Sequence, residues 1–173
     1  MIFKAKKSLG QNFLVDQNIL MLIANSTKIE KSDEIVEIGP GTGNLTEFLL
    51  KKNPKKMHLI EKDENLANLL KTKFSKSLNV INEDILKFSK KNLLNNESII
   101  FGNLPYNISS QILVKFIINK NKFKFKKLIF MFQKELADRI LAKVNSSNYG
   151  RFSILANWKF TIEKVIDIKP NSF

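Results

Sequence analysis

The sequence predicts one α/β domain in which helices cover both faces of a parallel sheet. Short apolar runs alternate along the chain with segments whose apolar residues recur every three or four positions. That alternation is typical of βα units, because neighbouring parallel strands need a crossover connection, usually a helix. The first apolar run leads directly into a glycine-rich loop between Gly39 and Gly43, the position of a ligand-binding turn in such sheets.

The elements follow in order along the chain. Asp16 can cap a first helix, in which Leu20 and Ile23 lie on one face. Apolar runs predict six strands, at residues 33–38, 57–61, 79–82, 98–103, 127–132 and 162–168. Helical spacing predicts the helices that alternate with them, at residues 45–52, 66–74, 108–118, 135–144 and 152–158.

The composition indicates a single domain with an anionic partner. A chain of 173 residues with 43% apolar content can form one full core. Its formal net charge of +13 favours RNA or DNA, because neutralised phosphates release counterions. A coding bias remains the alternative: the cations are nearly all lysine, Arg139 and Arg151 are the only arginines, and Asn and Ile are abundant.

Several classes of site are excluded by the residues that the sequence lacks. It has no cysteine, so disulfides, thiolate catalysis and cysteine-ligated metals are ruled out. His58 is the only histidine, which leaves no histidine metal cluster and no Ser-His-Asp triad. No apolar run approaches the roughly 18 residues of a membrane span. We therefore expect a cytoplasmic protein with neither a metal nor a membrane anchor.

Acidic residues at successive strand ends predict a cofactor pocket beside the glycine loop. The loop follows G-x-G-x-G, with Asn44 where a dinucleotide fingerprint needs its third glycine, so an adenosyl ligand without phosphates fits better than a pyrophosphate. Glu61 ends the second strand, where a carboxylate can accept both ribose hydroxyls. Asp84 follows the third strand, where it can accept from an adenine amine.

The tetrapeptide Asn103-Leu104-Pro105-Tyr106, at the end of the fourth strand, indicates chemistry on an amino nitrogen of a base. An exocyclic adenine amine is a poor nucleophile because its lone pair is delocalised into the ring. The amide oxygen of Asn103 and the carbonyl of Leu104 could draw that amine towards tetrahedral geometry. Pro105 turns the chain and aims that carbonyl into a cleft, and Tyr106 offers a face for stacking the base.

Five segments together resemble the ribosomal RNA adenine dimethyltransferase family, over essentially the whole chain. They are SLGQNFL at residues 8–14, EIGPGTG at 37–43, IE at 60–61, EDI at 83–85 and NLPYNIS at 103–109. The resemblance implies a Rossmann-like sheet, S-adenosylmethionine as cofactor, and dimethylation of two adjacent adenines in small-subunit ribosomal RNA. It also implies cofactor contacts from Asn12, Leu14, Gly39, Gly41, Glu61, Asp84 and Asn103. The target base would be held by Asn103, Leu104, Pro105 and Tyr106, with Phe173 opposite Tyr106.

Three alternatives stay open. Erythromycin-resistance methyltransferases share much of the pattern but favour Ile in place of Leu104, and DNA adenine or protein glutamine methyltransferases favour Pro there. A non-catalytic ribosome-assembly factor could keep the same fold. Family members continue past Phe173 with a further strand and a small helical domain. We therefore expect residues 1–173 to form a single domain without that helical part, and to act as a monomer on the immature small ribosomal subunit.

Overall fold

The computed structural model describes residues 10–74, 78–89, 97–119 and 123–173. Ser8 and Leu9 of the first motif, and the lysines at positions 4, 6, 7 and 122, lie outside these ranges. In chain order the helices and strands are α1 (Gln17–Asn25), β1 (Glu34–Ile38), α2 (Asn44–Leu50), β2 (Lys56–Glu61), α3 (Glu64–Phe74), β3 (Asn79–Asn82), β4 (Ser98–Asn103), α4 (Ser109–Ile118), β5 (Phe125–Met131), α5 (Lys134–Leu141) and α6 (Arg151–Lys159).

The sheet has the strand order β3-β2-β1-β4-β5, and every neighbouring pair is parallel. After β3 the chain therefore crosses back over the sheet and adds β4 on the other side of β1. The helices that follow β1 and β4 lie on opposite faces of the sheet. The loops that lead to them therefore separate at this switch in strand order, which opens a crevice between them. The predicted α/β fold with a parallel sheet is confirmed.

Two buried clusters cover opposite faces of the sheet, as the side-chain alternation of strands requires. On one face Ile35 and Phe101 pack with residues of α1, α2 and α3. On the other face Val36 and Ile100 pack against α4, and α4 in turn packs against α5 and α6 around Ala156. The central strands are buried along almost their whole length because both faces are covered.

Asp16 caps α1 as predicted, since its carboxylate accepts from the backbone N–H groups of Asn18 and Ile19. The predicted sixth strand at residues 162–168 is wrong. Within the described residues, this segment is extended but pairs with no strand of the sheet. Its apolar side chains instead reach two different clusters, Ile162 beside α6 and Ile168 on the face that carries α1. None of the described helices is long and apolar enough to cross a membrane.

Candidate active site

A cleft lies at the carboxyl ends of β1, β2, β3 and β4, at the switch in strand order. The segment of residues 10–14, which precedes α1, forms one of its walls. The cleft brings together most of the site residues predicted from the sequence: Asn12, Leu14, Gly39, Gly41, Glu61, Asp84, Asn103, Leu104 and Pro105.

The glycine loop after β1 forms the floor of the cleft. Gly39 and Gly41 have φ values of +65° and +59°, which residues with a Cβ atom rarely adopt. A Cβ on Gly41 would also lie 2.9 Å from the ring of Phe13, and one on Gly39 would lie 3.4 Å from the carbonyl oxygen of Asn103. The two glycines therefore let the loop pass close to both walls without narrowing the cleft.

Glu61 is buried at the end of β2, with its carboxylate fixed by backbone donors. Its Oε2 accepts from the N–H of Gly41 at 3.2 Å, and its Oε1 accepts from the N–H of Asp63 at 2.9 Å. Burial raises the pKa of the Glu61 carboxyl, and these two hydrogen bonds oppose that rise. Each carboxylate oxygen can accept more than one hydrogen bond, so Glu61 can hold the loop and still accept from the hydroxyls of a ligand.

Glu37 lies inside β1 and also lines the cleft. Its side chain is 2% exposed, and its Oε2 accepts a 2.7 Å hydrogen bond from the hydroxyl of Thr46 in α2. Burial, with a smaller contribution from the charge of Glu61, raises the pKa of Glu37 to about 7. This carboxyl is thus poised to change its charge near neutral pH.

Asp84 follows β3 and is held from two sides. Its Oδ1 accepts from the N–H of Leu86 at 2.9 Å, and its Oδ2 lies 2.9 Å from Nζ of Lys62. Burial raises the pKa of Asp84, but the hydrogen bond from Lys62, that from Leu86 and the charges of Lys62 and Lys87 outweigh it, so the net pKa is lowered. Asp84 is consequently a stable anion at the cleft.

Asn103, at the end of β4, is tied to the wall formed by residues 10–14. Its Nδ2 donates to the carbonyl of Asn12 at 3.0 Å. This bond uses the donor end of the amide and leaves Oδ1 as its acceptor. The same wall is held by Asn44, whose Nδ2 donates to the carbonyl of Leu14 at 2.8 Å. Asn12 and Leu14 thus shape the cleft through main-chain carbonyls.

The two predicted stacking residues do not line the cleft. Tyr106 is half-buried beside it, and its carbonyl accepts from the hydroxyl of Ser109 at the start of α4. Phe173 packs against the cluster on the α1 face, and the neighbouring Ser172 carbonyl accepts from the N–H groups of Val15 and Asp16. Their role on either side of a base stays a prediction.

Two acidic residues were given no role of their own in the sequence analysis. Asp63 caps α3 by accepting from the N–H groups of Asn65 and Leu66, and its other oxygen accepts from Nε2 of Gln11 across the cleft wall. An aspartate just before a helical pattern is a capping signal that could have identified it. Glu37 could have been singled out as a charge between the apolar residues Val36 and Ile38 of a buried strand.

The hydrogen-bond acceptors of the cleft fit a ligand with hydroxyls, an amine and positive charge. Four acidic residues line it, namely Glu37, Glu61, Glu83 and Asp84, whereas Lys62 is the only lysine or arginine among its described lining residues. Carboxylates accept hydrogen bonds from hydroxyls and amines and repel phosphate groups. S-adenosylmethionine, which has two ribose hydroxyls, an adenine amine and a cationic sulfur, matches these residues better than a dinucleotide does.

The comparisons with known proteins agree with this geometry. The chain is 54% identical to the ribosomal RNA small subunit methyltransferase A of Pelagibacter ubique (strain HTCC1062), over 100% of this chain and 66% of that protein. The crystal structure of a dimethyladenosine transferase from Plasmodium falciparum is 34% identical and matches 94% of this chain and 58% of its own, with a TM-score of 0.81. The 23S rRNA methyltransferase ErmE is 26% identical and matches 84% of this chain and 55% of its own, with a TM-score of 0.65.

The chain therefore spans just under two thirds of the length of these curated relatives. The family model for ribosomal RNA adenine dimethylase matches residues 2–173. That match covers both walls of the cleft, from the segment of residues 10–14 to the loop after β4. This chain belongs to the ribosomal RNA adenine dimethylase family.

Proposed function

We propose that this chain transfers methyl groups from S-adenosylmethionine to the exocyclic amines of two adjacent adenines in small-subunit ribosomal RNA. One observation carries the proposal: Asn103 and Leu104 lie in the same cleft as the glycine loop, Glu61 and Asp84. Acceptors for an amine and acceptors for an adenosyl group are thereby brought together. The names of the relatives supply the class of substrate.

On the cofactor side, Glu61 accepts from the ribose hydroxyls and Asp84 accepts from the adenine amine. Both carboxylates are already oriented by backbone N–H groups, so little rearrangement accompanies binding. Gly39 and Gly41 keep the floor thin beneath the ligand. S-adenosylmethionine supplies a methyl group made electrophilic by the positive charge on its sulfur.

On the substrate side, Oδ1 of Asn103 and the carbonyl of Leu104 accept from the hydrogens of the target amine. The two acceptors favour the tetrahedral nitrogen of the transition state, so they stabilise that state more than the planar ground state. With S-adenosylmethionine bound, the amine nitrogen would form a bond to the methyl carbon, and the electron pair of the broken carbon–sulfur bond would remain on sulfur. The surplus proton then leaves the methylated nitrogen for solvent, and no general base is required.

The substrate base reaches the cleft only after leaving its stack, because the reaction takes place on its Watson–Crick edge. Tyr106 and Phe173 are the aromatic residues proposed to hold it. The net charge of +13 attracts the RNA backbone. We place this activity in the cytoplasm, on the immature small ribosomal subunit, with the protein acting as a monomer and without a metal.

The test is transfer of a tritiated methyl group from S-adenosylmethionine to small ribosomal subunits that lack the modification. We expect label in two adjacent adenines of the small-subunit RNA, mapped by nuclease digestion. Asn103→Ala, which retains the cofactor carboxylates, is the matched inactive control. Label in large-subunit RNA would assign the protein to the resistance-type activity instead. Binding of subunits without any transfer, by a chain that binds S-adenosylmethionine, would favour an assembly factor.

A further inference from the structure

Lys115, in the second half of α4, reaches across to the loop that follows β3. Its Nζ donates to the carbonyl of Leu86 at 2.8 Å and to the carbonyl of Phe88 at 2.7 Å. An ammonium group has three donors, so one side chain holds two carbonyls of a neighbouring loop. This contact is not predictable from the sequence, because a lone lysine in an apolar helix carries no local signal for it.

The two carbonyls belong to the turn that positions Asp84. The N–H groups of Lys87 and Phe88 donate to the carbonyl of Asp84, both at 2.9 Å, and the N–H of Leu86 donates to its side chain. A shift of this turn therefore moves the Asp84 carboxylate, which lines the cleft.

The other end of the connection is the loop after β4. Lys115 lies six residues after Ser109, the first residue of α4. The hydroxyl of Ser109 donates to the carbonyl of Tyr106, and the N–H of Ile108 donates to the carbonyl of Pro105. The beginning of α4 is thus fixed to the proposed base-binding tetrapeptide, and its later turn is fixed to the loop of Asp84.

Lys115 lies in a partly buried place. Desolvation lowers the pKa of Lys115, whereas the charges of Asp84 and Glu83 raise it, and the net pKa is below its ordinary value. Around it, Phe88 of the loop and Ile112 and Phe116 of α4 share one apolar cluster. An apolar side chain could pack there without desolvating a charge. The presence of a lysine is therefore explained by its hydrogen bonds to the loop and by its attraction to the carboxylates of Asp84 and Glu83.

We propose that Lys115 is a positioning residue, which holds the β3 loop against α4 and so sets Asp84 at the place where it accepts from the adenine of the cofactor. This inference rests on the proposed cofactor site. It adds a connection between the cofactor side and the base side of the cleft. Lys115 itself touches neither ligand in this scheme.

The test is a double-mutant cycle on the full chain, with S-adenosylhomocysteine affinity measured by calorimetry. We expect Lys115→Met to weaken binding about tenfold, as is typical for partners in one hydrogen-bond network. In the Asp84→Asn background, Lys115→Met should weaken binding by less than about twofold, because the carboxylate through which Lys115 acts is already neutralised. If Lys115→Met acted only by a general loss of structure, its effect on affinity would instead add to that of Asp84→Asn.

Lys126→Met is the matched control, because Lys126 forms a 2.7 Å ion pair with Asp33 at the amino ends of β5 and β1, away from the cleft. It should leave affinity unchanged within about twofold. If Lys115→Met does not fold, Lys115→Gln, which keeps a donor without the charge, takes its place in the cycle with the same expected non-additivity.

The outcomes separate the two proposals. Weaker binding by Asp84→Asn together with unchanged binding by Lys115→Met and Lys115→Gln would overturn the role of Lys115 alone. Additive losses in the double variant would also overturn it. Unchanged binding by Asp84→Asn would overturn the cofactor site, and the inference about Lys115 with it.

Discussion

Replacing Glu37 by glutamine should remove a pH dependence of stability that this one carboxyl imposes. Glu37 is fully buried in β1 and accepts from the Thr46 hydroxyl. Glutamine has nearly the same shape, and its amide oxygen can accept the same hydrogen bond, but it stays neutral at every pH. The exchange therefore isolates the free energy of ionising Glu37 in the folded protein.

The magnitude follows from the rise of the pKa from 4.5 to about 7. Between these values the folded state binds a proton that the unfolded state has released, so stability falls as pH rises. The stabilising contribution is complete below about pH 4.5 and is lost as pH rises through about 7. At 1.36 kcal/mol per pH unit, the loss amounts to about 3 kcal/mol.

Urea unfolding of both proteins at several pH values from 4.5 to 8 measures this contribution. Titratable groups present in both proteins, including Glu61 and His58, contribute almost equally to both stability curves. Their contributions therefore cancel to first order in the difference between the two free energies of unfolding. We expect Glu37→Gln to gain about 3 kcal/mol relative to the unmodified chain between the ends of that range. Parallel stability curves for the two proteins would refute the reasoning, because they would mean that Glu37 ionises in the folded state at its ordinary pKa.

Three further predictions concern the cleft. Asp84→Ala should weaken S-adenosylmethionine binding on the order of tenfold to a hundredfold in calorimetry, since a hydrogen bond to a charged group is worth roughly 1.5–3 kcal/mol; an unchanged Kd would contradict its assignment. Asn103→Ala should lower the single-turnover methyl-transfer rate while cofactor affinity stays nearly constant, and an equal loss in both would assign Asn103 to binding. Tyr106→Phe should retain most transfer activity and Tyr106→Ala should lose it, whereas equal inactivity of the two would assign the role to the hydroxyl.

The central strands β1, β2 and β4 were predictable because each contains an apolar run that is buried on both faces. The run at residues 162–168 has similar residues, yet it forms no strand. Periodicity reports which side chains are buried, but a strand also needs a neighbour with free hydrogen-bonding groups. That requirement depends on the order of the sheet, which local sequence does not contain.

The positions of Glu61 and Asp84 were predictable for a geometric reason. The carboxyl ends of parallel strands meet at one edge, so polar residues at consecutive strand ends converge there. Their hydrogen-bond partners were not predictable. The N–H of Gly41 donates to Glu61, which lies 20 positions away in the sequence. Lys115 donates to the carbonyl of Leu86 in the loop of Asp84, which lies 29 positions away. Such contacts depend on how helices and loops pack against the sheet.

The segment of residues 10–14 shows how this packing completes a site that the strands only begin. Gln11 donates to Asp63 at the start of α3, and the carbonyl of Asn12 accepts from Asn103 at the end of β4. One short segment thus connects the cofactor side of the cleft with the base side. The carbonyl that closes this wall is also the acceptor that fixes the Asn103 amide. Displacing the segment would free that amide to rotate, so the orientation of the Asn103 oxygen depends on this wall. The wall itself is also held by Asn44, through the carbonyl of Leu14, and by the bond between Gln11 and Asp63.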